Sequence, residues 1–468
     1  MGFIQTILSN LPEVKGPLKK HLSFKEKLKW TSIMLVSFFV LSVIPLFGLG
    51  QNCLARFEQL SIILGASFGA ITSLGIGPIV TASIVLQLLN GSGLLKFDLT
   101  TTEGKKNFQG LQKLLSIFFI IFEALIFVYT GGLAPNPALV GASYSIMQIV
   151  LVAQLFIGGL LIMYMDEVTT KWGFGSGISL FIAAGVSAEI FIRAFSPLNS
   201  SGTWAFGSGQ APVGQIWVFL VSLINGVPVE AALAFVTVLA TVVIFVMSVY
   251  AQSMKVEIPL SFGRVRGYGI RWPLKFIYTS NIPVILIAAL IANIQLWASL
   301  LERAGYPFLG TFSGNVPVSG FVAWINPPNI VQGLFTSSLT FLDVGHALVY
   351  ILFLVGGSVL FSIFWVQTSG MDPGSQAKQI MNSGLQIPGF RRDPRVLESI
   401  LARYITPLTV MGAIVVGFLA ASADLLGALS RGTGILLAVM IIYKLYEDIA
   451  QQHMLDMHPA LRKMMGGS

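Results

Sequence analysis

Apolar residues in this chain come in blocks of about 20, the length a helix needs to cross the roughly 30 Å hydrocarbon core of a bilayer, and the blocks recur from end to end. Lipid offers no partner to a bare N–H or C=O, so segments of this kind cross as hydrogen-bonded helices. Ten are counted: Trp30 to Leu49, Ala70 to Leu89, Leu111 to Thr130, Tyr144 to Met165, Phe174 to Phe195, Ala231 to Ser253, Phe276 to Trp297, Leu342 to Val366, Tyr404 to Ala423 and Ile435 to Tyr446. The chain is 54% hydrophobic and 10% charged, against about 25% charged in a soluble domain. It cannot clothe itself in a polar surface, and the expected fold is an all-α integral membrane protein.

Charge then orients it. With the N-terminus inside, the inner segments hold Lys15, Lys19, Lys20, Lys25, Lys27 and Lys29, then Lys96, Lys105, Lys106 and Lys113, then Lys171. Further along they hold Lys255, Arg264, Arg266, Arg271 and Lys275; Lys378, Arg391, Arg392, Arg395 and Arg403; and Lys444, Arg462 and Lys463. Only Arg56, Arg193, Arg303 and Arg431 of the 28 Lys and Arg fall outside. Because Lys and Arg are retained on the cytoplasmic side, both ends are expected in the cytoplasm. The first span follows Lys25, Lys27 and Lys29 as a signal anchor would, but it is too long for a signal-peptide core and nine more spans follow, so no cleavage is expected. Met1-Gly2-Phe3-Ile4-Gln5-Thr6 fits the loose myristoylation pattern, which adds little to a chain with ten spans. One cysteine, Cys53, excludes an internal disulfide and a cysteine-based metal site.

Residues 1–29 form a cytoplasmic N-terminus. In it Phe3, Ile4, Ile7, Leu8 and Leu11 recur at helical spacing up to Pro12, either as a short amphipathic helix on the membrane surface or as a frayed end. Residues 30–195 hold spans one to five, 196–230 an external linker, 231–446 spans six to ten, and 447–468 a cytoplasmic tail. Five is odd, so the halves face opposite ways, as inverted repeats with a pathway between them do. Asn199-Ser200-Ser201 in the linker is a glycosylation sequon on the outer side.

The segment 52–68, with Arg56, Glu58 and the run Leu60-Ser61-Ile62-Ile63-Leu64, is too polar and too short to cross. Irregular backbone sits at membrane depth only inside protein or beside water. Two readings stand, a re-entrant stopper within a channel or an outer loop resting on the surface. The inner loops 252–275 and 367–403 are longer than a connection needs and rich in Arg, and they are expected to dock something acidic, such as ribosomal RNA, an acidic protein face or anionic lipid.

No motif in the sequence carries the chemistry of an enzyme. Gly65-Ala66-Ser67-Phe68-Gly69 matches a nucleophile elbow without a strand before it or a His partner. The four histidines form no metal-ligand pattern, and neither a Walker A nor a dinucleotide glycine motif occurs. No cofactor is implied. Buried ionisable residues mark function in membranes, at a cost of about 2.5 to 3.5 kcal/mol each. Glu123 alone lies mid-span, with Glu189, Glu230 and Asp343 near span ends. A secondary transporter of a small solute, also built 5 + 5, would want several paired acids there, and a membrane protease a serine or metal dyad.

Four stretches carry a resemblance: Gly75-Ile76-Gly77-Pro78-Ile79-Val80-Thr81-Ala82-Ser83, Gly175-Ser176-Gly177-Ile178, Ser280-Asn281-Ile282-Pro283-Val284-Ile285 and Gly432-Thr433-Gly434-Ile435-Leu436-Leu437. The chain resembles the SecY family of Sec translocon channel subunits, in its archaeal branch, over its whole length. The resemblance implies a cell-membrane channel of two inverted five-helix halves around an hourglass pore. It would pass unfolded secretory chains across and release hydrophobic segments sideways into lipid. It implies a pore ring at Ile76, Val80, Ile178, Ile182, Ile285 and Leu437, with Ile282 nearby, and a polar cluster at the lateral gate from Thr81, Glu123 and Asn293. It makes 52–68 a plug and places Lys255, Arg264, Arg266, Arg271, Arg391, Arg392 and Arg395 where a ribosome or cytosolic motor docks. Arg392-Asp393 stands where many bacterial members read Pro-Gly. Implied partners are small single-span subunits of the SecE/gamma and SecG/beta types, signal sequences, nascent polypeptides and membrane lipid. Without the resemblance, ring isoleucines read as core packing and Thr81 as bonding to its own helix.

Overall fold

A computed structural model describes residues 12–17, 22–52, 69–91, 94–95, 97, 101–136, 142–199, 203–206, 210–262, 269–279, 282–303, 305–313, 316–382, 385–386, 393–430 and 432–457. The amphipathic stretch ending at Leu11, the segment beyond Asn52 with Cys53, Arg56, Glu58, Ile62 and Leu64, and Arg264, Arg266, Arg391 and Arg392 lie outside the described residues.

Each of the ten apolar blocks holds a helix. The first half contains α1 (Phe24–Val43), α2 (Gly77–Gly91), α3 (Thr102–Tyr129), α4 (Ala142–Trp172) and α5 (Gly177–Phe195). A short α6 (Gln215–Ile224) in the linker packs on α5 and on α7 (Pro228–Ser253). Then come α8 (Ile282–Arg303), the short α9 (Gly320–Trp324) and α10 (Ile330–Phe335), α11 (Phe341–Thr368), α12 (Pro373–Asn382), α13 (Pro394–Leu425) and α14 (Gly432–Met457).

Several helix ends differ from the sequence expectation, each for a local reason. α1 starts at Phe24 rather than Trp30, because Ser23 and Glu26 form a capping box, with the Ser23 hydroxyl accepting the Glu26 N–H at 3.4 Å and the Glu26 carboxylate accepting the Ser23 N–H at 3.2 Å. α2 starts at Gly77 rather than Ala70; Gly75 sits at φ 57°, and turns occupy the residues before Gly77. α8 starts at Ile282 rather than Phe276, with Pro283 in its first turn, where a missing N–H costs nothing. α13 starts at Pro394, ten residues before Tyr404 in chain order, because Asp393 caps it by accepting the Arg395 N–H at 2.9 Å. Among the described residues, 7 helices are long and apolar enough to cross a membrane on length and composition alone. Of the other three blocks, α2 is only 15 residues long. In α1 Lys25, Glu26, Lys27 and Lys29 crowd the first turns, and in α14 Lys444, Glu447 and Asp448 interrupt the helix midway.

Within the first half α2 packs on α3, α3 on α4, and α1 and α5 on α4; within the second α11 packs on α8 and α13, and α14 on α7 and α13. The halves meet chiefly in two places, α5 against α14, and α2 against α8 and α11. Their outer surfaces keep large apolar side chains exposed, such as Val40, Val43, Ile146, Val246 and Leu352. A belt of this extent is intelligible only against lipid.

The structure is not purely helical outside the bundle. Strand β1 (Leu49–Asn52) pairs antiparallel with β2 (Leu133–Pro135), and β3 (Lys255–Phe262) with β4 (Gly269–Lys275). Short strands β5 (Phe312–Ser313) and β6 (Val316–Pro317) pair in the α8–α9 connection, and β7 (Leu385–Gln386) joins β3 through Ser261↔Gln386 and Phe262↔Leu385. Loops 252–275 and 367–403 thus share one sheet. Alternation explains it: Ile258 and Leu274 are buried against Leu397, Leu401 and Ile405 of α13, while Lys255, Glu257 and Arg271 face out.

Candidate functional site

The seven candidate ring residues come from α2 and the turn before it, which holds Ile76, and from α5, α8 and α14, and they converge on one apolar cluster. Ile76, Val80, Ile182 and Leu437 belong to it, with 1%, 7%, 0% and 0% of their surface exposed, and Ile178, Ile282 and Ile285 pack against it half-buried. A cavity of about 270 Å³ reaches this cluster from the face that carries the β3–β4 hairpin. Val80, Ile178, Ile282 and Ile285 line it together with the polar Gln112, Lys444 and Asp448. Ile76, Ile182 and Leu437 are not part of its lining and stay buried within the apolar cluster.

Backbone geometry aims these side chains. The Ile76 carbonyl accepts the Val80 N–H at 3.0 Å, so Ile76 and Val80 stand one turn apart on the same face. On α5, Ile178 and Ile182 repeat that spacing. The α5 start is fixed by Asp166 of α4, whose Oδ1 accepts the Ile178 N–H at 2.9 Å and the Ser176 hydroxyl at 3.3 Å. At the start of α14 the Gly432 N–H reaches Asp424 Oδ1 of α13 at 2.6 Å. Sequence reasoning missed both aspartates, since each lies near a span end where charge is unremarkable; the signal that could have found them is an acid shortly before a glycine-opened helix.

At the seam between halves, Asn293 of α8 donates from Nδ2 to the Thr81 hydroxyl of α2 at 3.4 Å. Thr81 donates in turn to the Gly77 carbonyl of its own helix at 2.8 Å, so its hydroxyl bonds both within α2 and across to α8. The Phe122 ring of α3 lies 6.3 Å from Trp297 of α8. Glu123 is half-buried on α3, and among the described residues it makes no hydrogen bond to Thr81 or Asn293. The structure brings together two members of that cluster by a hydrogen bond and not the third.

The ends of the segment 52–68 are pinned at the face opposite the hairpin. Asn52 pairs with Leu133, the Leu46 N–H donates to the Gly69 carbonyl at 2.9 Å, and the Ile71 N–H to the Ile44 carbonyl at 3.0 Å. Of the docking candidates, Arg271 pairs with Glu257 at 3.0 Å, and Lys255 lies 3.9 Å from Glu447 of α14, which also holds Lys275. Arg395 stands in the first turn of α13 beneath the same sheet.

The family model described as SecY matches residues 70–446. The protein translocase subunit SecY of Methanothermobacter thermautotrophicus is 47% identical over 467 residues, covering 99% of this chain and 98% of that protein. A solved structure concerned with the plug domain of SecY, which stabilizes the closed state of the translocation channel and maintains a membrane seal, matches at TM-score 0.80 and 43% identity, covering 98% of this chain and 99% of that one. Sec61 from a canine ribosome–channel complex of the endoplasmic reticulum matches at TM-score 0.77 and 42% identity, again over 98% and 99%. With a helix in each of ten apolar blocks, an apolar cluster where two halves meet and relatives this similar over nearly every residue, the chain belongs to the SecY family.

Proposed function

We propose that this protein is the channel subunit of a Sec translocon of the archaeal type, passing unfolded chains through the space between its halves and releasing hydrophobic segments into lipid at the α2–α8 seam. The observation that carries the reading is the buried apolar cluster, fed by four helices of both halves, that the cavity reaches. A ring of branched apolar side chains resists wetting and so blocks ions, yet it offers a passing chain no polar group to bind. Ile76, Val80, Ile178, Ile182, Ile282, Ile285 and Leu437 form that ring, and 52–68 plugs it from the far side, a role favoured by its ends being held there by β1 and by residues 44–46.

Thr81 and Asn293 latch the seam, and Glu123 adds a polar group beside them. The hairpin and its neighbouring loop dock a ribosome or cytosolic motor through Lys255, Arg264, Arg266, Arg271, Arg391, Arg392 and Arg395, consistent with the outward side of the sheet being charged. Small subunits of the SecE/gamma and SecG/beta types complete the complex, and both termini lie in the cytoplasm of a cell whose plasma membrane holds it, as the distribution of Lys and Arg favours.

The test is a crosslink. The protein is reconstituted with a ribosome carrying a stalled secretory chain, with photoreactive probes at Ile76, Ile182 and Ile285. Crosslinks from all three to the nascent chain are expected; their absence, with uptake of a small solute instead, would overturn the channel reading.

A further inference from the structure

The two helices that bring Ile182 and Leu437 to the constriction start in the same way, at opposite faces. Each opens on a glycine with no room for a side chain. A Cβ on Gly177 would lie 2.6 Å from the Asp166 Cα of α4, and one on Gly432 would lie 2.2 Å from the Ala420 carbonyl oxygen and 2.9 Å from the Asp424 nitrogen of α13. Each start is then held by the carboxylate of the neighbouring helix. Asp166 accepts the Ile178 N–H at 2.9 Å across 12 residues of chain, and Asp424 accepts the Gly432 N–H at 2.6 Å across 8. Asp424 is fixed in its turn by the Tyr350 hydroxyl of α11.

An ordinary helix cap comes from the residue just before the helix and fixes only its first turn. Here the acceptor belongs to another helix. The first N–H groups of a helix have no partner within it and carry the positive end of its dipole, so a carboxylate there ties the axial position of one helix to its neighbour. The ring residue follows at the same distance in both, Ile182 five residues after Gly177 and Leu437 five after Gly432, about 7.5 Å along the axis at 1.5 Å per residue. α5 and α14 also touch directly between the halves, with Val186 in van der Waals reach of a Cβ built on Gly434.

We propose that Asp166 and Asp424 are paired positioning residues of the pore, one at each face, which set the depth of α5 along α4 and of α14 along α13 so that Ile182 and Leu437 meet at one level. The inference rests on the channel reading above. Loss of either carboxylate lets its helix slide and opens a gap in the ring while the packing of each half persists.

The experiment measures ion conductance of the idle complex, full chain with its small subunits, in planar bilayers. Asp166→Ala and Asp424→Ala are each expected to raise the idle conductance severalfold. Asn at either position keeps an oxygen that accepts the same N–H, and its leak is expected between that of the parent and that of Ala. Ser23→Ala removes a cap of ordinary kind from α1, which bears no ring residue, and leaves the seal intact. If the Ala variants do not fold, Asp166→Glu and Asp424→Glu carry the test, since an added methylene displaces the helix start and is expected to leak. Ile182→Gly serves as the reference for a broken ring. Leak from Ile182→Gly with a sealed channel in the Asp variants overturns the positioning role alone; a seal that survives Ile182→Gly as well overturns the ring beneath it.

Discussion

Thr81 spends its hydroxyl twice, as a donor to the Gly77 carbonyl of its own helix and as an acceptor for Asn293 across the seam. Of these bonds only the second resists separation of the halves. Bonds of this kind between membrane helices are worth about 0.6 kcal/mol and at most about 1.7. Asn293→Ala is therefore expected to shift the seam toward opening by about threefold, at 1.4 kcal/mol per tenfold. The readout is secretion of a reporter whose signal sequence has been shortened in its apolar core, and export at or below the parental level would show that the bond does not hold the gate. At this scale little was legible beforehand. Thr81, Glu123 and Asn293 were placed together by family resemblance, and the structure joins only the first and last, because a side chain's reach depends on the rotation of its helix, which no local pattern fixes.

The β3–β4 hairpin shows what a single element contributes. Its charged side faces out while Ile258 and Leu274 insert against α13, so the two strands rest on a bundle helix. Ile258 is 3% exposed, and Ile258→Ala is expected to cost about 2 to 5 kcal/mol as lost transfer energy plus a cavity. Faster amide exchange across β3 and β4, with α7 and α8 unchanged, is the expected result; unchanged exchange in the hairpin would mean the sheet stands without that contact. The alternation Val256, Ile258, Leu260 and Ile270, Trp272, Leu274 has strand period, but the length and Arg content of 252–275 mark it from sequence only as a docking loop, which misses the hairpin. The partner strand β7 has no such period, since two residues more than a hundred positions away carry no periodicity.

Across the whole molecule, the two halves touch along α5 and α14 on one side and along α2, α8 and α11 on the other. Both joints carry candidate ring residues, Ile182 and Leu437 at the first and Val80 and Ile285 at the second, and the second adds the Asn293–Thr81 bond that the proposed opening would have to break. Orientation is testable at the same scale. In a chain with Cys53→Ser as its only other change, a cysteine at Gln210 is expected to react with an impermeant maleimide in intact cells, and one at Gly16 only after permeabilisation. The reverse pattern would overturn the inside placement of the termini.

The sequence by itself determined that this chain lives in lipid, where its helices run, and which way it is expected to face, because hydrophobic length and Lys/Arg placement act locally and need no neighbour to be read. The tertiary structure alone decided which isoleucines meet at the constriction, which aspartates hold the helices that carry them, and which loops merge into one sheet. Those outcomes depend on the rotation and depth of each helix against another, and every span offers several apolar faces that satisfy lipid equally well.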